Sequence, residues 1–93
     1  MVITTLEAIH RLLKIELAEA KLEQDVAAEK RKKALDKMDS MKLARVTNSS
    51  EYDPAYEKVI AEEVAEAEAD NKFAYKRFQS AEDALIDFEG YQF

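Results

Sequence analysis

Apolar residues return along the second half of this chain at alternating steps of four and three: Ile60, Val64, Ala67, then Ala74, Phe78, Ala81, Leu85 and Phe88, with Asn71 in the single polar position of the series. A repeat of about 3.5 residues marks a helix that packs one stripe against a neighbouring helix. The first half carries a matching face of Leu6, Ile9, Leu13, Leu17, Ala20, Ala27, Ala34, Met38 and Met41, interrupted at Gln24 and Arg31. The Ala, Leu, Lys, Glu and Met that fill both runs are good helix formers, and neither run contains Gly or Pro.

The boundaries follow from local chemistry. Thr4 can accept a backbone N–H while Glu7, three residues on, reaches back, a capping box that starts helix 1 at about residue 4 and lets it run to about 46. Thr47-Asn48-Ser49-Ser50 breaks it, giving a loop over about 47–53. Asp53-Pro54 opens helix 2, because Asp caps orphan amides and Pro tolerates the first helical position. Gly90 is expected to end helix 2 at about 89 as a left-handed Schellman cap, with Tyr91 touching Ile86 and residues 90–93 left as a tail. Tyr91 and Phe93 are expected to pack on the rod end beside Leu6 and Val2.

Two helices of roughly 35 to 43 residues joined so closely must pair antiparallel, as a rod on the order of 50 to 60 Å long. The fold class is all-α, a coiled-coil hairpin in a single domain over 1–93. Alanine recurs every seventh residue at 20, 27 and 34 and again at 67, 74 and 81. With the turn near residue 50, positions whose numbers add to about 100 lie opposite each other, so the ladders meet as Ala34 with Ala67, Ala27 with Ala74 and Ala20 with Ala81. This resembles the Alacoil type of antiparallel pairing, in which small residues let the backbones approach closely. The same register gathers Gln24, Arg31 and Asn71 at mid-rod as a polar cluster that would fix alignment.

One stripe is left over. Leu12, Ile15, Leu22 and Val26 on helix 1, with Ala69, Phe73 and Ala84 on helix 2, fall off the seam and form a composite apolar patch. Two hairpins pressed face to face would bury it as a four-helix bundle, so the expectation is a homodimer, the competing occupant being a different protein. Length argues the same way, because 93 residues give a domain that has difficulty burying enough apolar surface alone.

Charge changes the picture less than its total of −6 suggests. Residues 1–46 carry ten basic and eight acidic side chains, and residues 47–93 four basic and twelve acidic. The run Lys30 to Lys33 is placed by the register beside Glu66, Glu68 and Asp70, where pairing within the molecule neutralises it. Direct nucleic-acid binding, which needs a basic stripe with exposed aromatics, is not expected. Glu51, Asp53, Glu57, Glu62, Glu63, Glu66, Glu68 and Asp70 form an acidic face that could steer the protein toward a partner with a basic surface.

Catalytic chemistry finds little footing. There is no cysteine, Gly-rich phosphate loop or metal-ligand cluster, and no cofactor is expected. Glu7-x-x-His10 has the spacing used by ferritin-like di-iron carboxylate proteins, but it covers four residues and holds the chain's single His, so both are expected at the solvated surface. No segment approaches the roughly 20 apolar residues of a membrane span, and a cytoplasmic protein is expected. The leading expectation is therefore a non-enzymatic interaction protein, an adaptor, assembly factor or regulatory subunit. The alternatives are a small acidic inhibitor of the phage-type, anti-CRISPR-like kind that blocks a nucleic-acid channel, and a carboxylate metal protein assembled at a dimer interface.

Overall fold

A computed structural model describes the backbone of residues 4–92 as two helices and one turn. Helix α1 spans Thr5–Val46 and α2 spans Pro54–Gln92; they pair antiparallel as a rod measuring 68 × 23 × 16 Å, with no strand among the described residues. The rod is somewhat longer than the expected length of roughly 50 to 60 Å, and α2 does not stop at Gly90. No glycine among the described residues has a positive φ, and the helix continues through Gly90 to Gln92. Tyr91 is 87% exposed and does not cover the rod end. The expected packing of Phe93 and Val2 falls outside the described residues.

The left-handed cap lies instead at the end of α1. Asn48 has φ 52°, the Ser49 N–H donates to the Ala44 carbonyl at 2.9 Å and the Asn48 N–H to the Arg45 carbonyl at 3.3 Å. That double return is the Schellman pattern, with Asn in the position Gly commonly takes because its short polar side chain tolerates the left-handed region. The starts carry the expected Asp53 cap and the Thr4 half of the capping box, while no bond from the Glu7 side chain back to Thr4 is present among the described residues. The Thr4 hydroxyl accepts the Glu7 N–H at 3.2 Å, and the Asp53 carboxylate accepts the Ala55 N–H at 3.0 Å. Across the turn, Arg45 Nη1 donates to Glu57 Oε1 at 3.0 Å. The Tyr52 hydroxyl sits beside that carboxylate, which holds its pKa above the ordinary phenol value.

The seam is built as the repeat dictates. Ala20, Ala27, Ala34, Met41, Ile60, Ala67 and Ala74 are buried, and Leu13, Leu17, Met38, Val64, Phe78, Ala81, Leu85 and Phe88 are half-buried. The N-terminal end departs from expectation: Leu6 and Ile9 are 46% and 40% exposed, and His10 occupies the seam frame there. Counting back by sevens from Leu17 reaches His10, whereas Ile9 falls one position outside the frame. Leu6 is in frame, but the residues opposite it lie beyond those described.

Candidate interaction surface

Cross-helix ion pairs record the register. Lys30 reaches Asp70 at 2.8 Å and Glu66 at 3.5 Å, Lys37 reaches Glu63 at 3.3 Å, Arg77 pairs with Glu23, and Arg31 stands 4.0 Å from Glu68. Opposed residues therefore carry numbers adding to about 100, as the mirrored alanines require. Pairing with Asp70 raises the pKa of Lys30. Of the run Lys30 to Lys33, the first two find partners on α2 and the last two have none among the described residues.

These contacts account for much of the acidic face. Glu57, Glu63, Glu66, Glu68 and Asp70 each meet a cation of α1, and Asp53 caps α2. Glu51 and Glu62 have no ion pair among the described residues. The polar cluster is not a hydrogen-bonded unit: Gln24 and Asn71 are half-buried, Arg31 is exposed toward Glu68, and no hydrogen bond among the described residues links the three.

The apolar patch has its centre at mid-rod. Leu22, Val26 and Phe73 are 65%, 63% and 71% exposed, and they wall a shallow depression of about 490 Å³. Its floor is Ala27 and Ala74, the opposed pair of the ladder, and its rim carries Glu23, Lys30 and Asp70. The depression exists because the seam at this level is only methyl groups deep while the flanking side chains are long. Leu12 and Ile15 are exposed further along α1 at 60% and 47%, and Ala69 and Ala84 are exposed on α2; none of these four borders the depression. The repeat located the patch residues, but the depression depends on side-chain depth, which periodicity does not encode.

A second cluster went unread in the sequence. His10 is half-buried: its Nε2 lies 2.9 Å from Glu89 Oε1, and its ring stacks on Phe88 at 5.7 Å between centroids. The expectation of a solvated His10 is corrected by this contact. The signal was its heptad position together with the register, which sets 10 against 89. Among the described residues no group of three or more His, Cys, Asp or Glu is placed to hold a metal ion. Among the described residues no helix is long and apolar enough to cross a membrane. Comparison with protein-family models, curated proteins and solved structures finds no match to this chain.

Proposed function

We propose that this protein is a non-enzymatic interaction protein of the cytoplasm, an adaptor, assembly factor or regulatory subunit that works as a homodimer of hairpins. The observation that carries the reading is the exposed trio Leu22, Val26 and Phe73 around a depression at the middle of the rod. Apolar side chains gathered at that exposure are stabilised by leaving water, at about 25 cal/mol per Å² buried. A hairpin whose own core is largely alanine has the most to gain from a second layer. The reading as an acidic inhibitor draws less support, since most of its carboxylates already face cations of α1.

Sedimentation equilibrium tests it. The wild-type chain is expected at twice its 10.6 kDa mass, and Phe73→Glu, which sets a charge into the patch, at the monomer mass with its helix content kept. A well-folded wild-type monomer at hundreds of micromolar sinks the reading.

A further inference from the structure

The depression lies on a flank whose charges have a mirror order. Stepping by alternating three and four along α1, that flank holds Glu16, Glu19 and Glu23, then Val26, then Lys30, Lys33 and Lys37. About Val26, positions 16 and 37, 19 and 33, and 23 and 30 lie at distances that match to within one residue and carry opposite charge. On α2, Asp70 and Arg77 stand in the same relation about Phe73 and Ala74.

The geometry fixes these residues to one side. Glu23 pairs with Arg77, Lys30 with Asp70 and Lys37 with Glu63, heptad after heptad along one edge of the seam. Val26, Lys30 and Lys33 also border a second depression of about 440 Å³ beside the first. Glu16, Glu19 and Lys33 are exposed and have no ion pair among the described residues. Val26 stands at the midpoint of Thr5–Val46 and Phe73 at that of Pro54–Gln92.

Building on the dimer reading above, we infer that the second copy lies antiparallel across this flank, with α1 on α1 and α2 on α2, related by a two-fold axis passing beside Val26 and Phe73. A two-fold lying in the interface and perpendicular to the rods reverses chain direction about its centre. It sets Glu16, Glu19 and Glu23 against Lys37, Lys33 and Lys30 of the second copy, and Asp70 against Arg77, with no like charges opposed among these. Because the centre is at mid-rod, the two copies overlap along their whole length. A face 68 Å by 23 Å offers on the order of 1,500 Å² per copy, above the roughly 800 Å² per partner of a standard interface. The parallel arrangement, α1 on α2, only repeats pairings each hairpin already makes and leaves Glu16 and Glu19 opposite Ala84 and Ser80.

Charge complementation in trans separates the two. Glu19→Lys and Lys33→Glu touch no ion pair within the hairpin, so each variant is expected to fold, as circular dichroism will verify. By sedimentation velocity each alone self-associates about ten-fold or more weakly, because two opposed pairs become like charges. An equimolar mixture of the two recovers wild-type association as a mixed dimer, and so does the double variant E19K/K33E with itself. A wild-type dimer whose two variants fail to complement overturns the antiparallel arrangement and leaves the dimer reading standing. So does rescue of Lys33→Glu by Glu66→Lys, which reports the parallel one. A wild-type monomer at high concentration overturns both.

Discussion

Ala67 and Ala74 occupy equivalent heptad positions one repeat apart, yet they differ in what a larger side chain would meet. Ala67 has no exposed surface, whereas Ala74 is 5% exposed and forms part of the floor of the mid-rod depression. Leucine at 67 must push the helices apart, with an expected loss of about 1 to 3 kcal/mol in chemical denaturation. Leucine at 74 can lean into the depression, so the Ala74→Leu loss should be the smaller of the two. Equal losses would show that the depression gives a side chain no usable space. The same contrast marks what was legible residue by residue. The alanine positions follow from period and register alone, so both ladders were readable. The same frame, counted back from Leu17, also reaches His10, but the apolar Ile9 beside it takes the seam position when hydrophobicity alone is followed. The contact of His10 with Phe88 and Glu89 shows that the frame governs there.

The helix ends show how far local signals reach. Thr4 and Asp53 cap as their spacing dictates, since a cap acts within one turn and needs no tertiary help. The left-handed cap expected at Gly90 is found at Asn48 instead. A Gly permits a left-handed residue but does not compel one, and the intramolecular hydrogen bonds of one more turn carry α2 through Gly90 to Gln92. At Asn48 the chain has to turn within a short loop to return along α1, and the left-handed residue appears where that reversal demands it. Paired substitutions check the assignment. Gly90→Ala adds a Cβ that meets nothing within 4 Å and removes backbone freedom from the unfolded chain, so thermal stability should rise by about 0.5 to 1 kcal/mol. Asn48→Ala should lower it by about 1 kcal/mol, because alanine at φ 52° is strained. A loss at Gly90→Ala would restore the left-handed cap at residue 90.

For the whole molecule, the decisive quantity is how much of its stability one hairpin holds alone. Ile60 is the single large side chain with essentially no exposure among the described residues; the rest of the buried set is Met41 and alanines. Alanine burial removes little area from water per residue, while each ordered residue costs about 1 to 2 kcal/mol of backbone entropy. The cross-helix ion pairs add little to balance this, since their side chains are mostly half exposed and such pairs contribute about 0 to 1 kcal/mol each. In the dimer proposed above, part of the stability draws on association, and mass action gives that a signature: a dimer that separates as it unfolds melts at a temperature that depends on its concentration. Each ten-fold increase in concentration favours the dimer by about 1.4 kcal/mol, which for two chains of this length unfolding together raises Tm by roughly 3 to 4 °C. Scanning calorimetry over a hundred-fold concentration range should show that drift in the wild type and lose it in Phe73→Glu, whose Tm should also be lower. A wild-type Tm that stays flat across the range would mean that the alanine seam suffices by itself, and the exposed trio at mid-rod would then contribute nothing to folding.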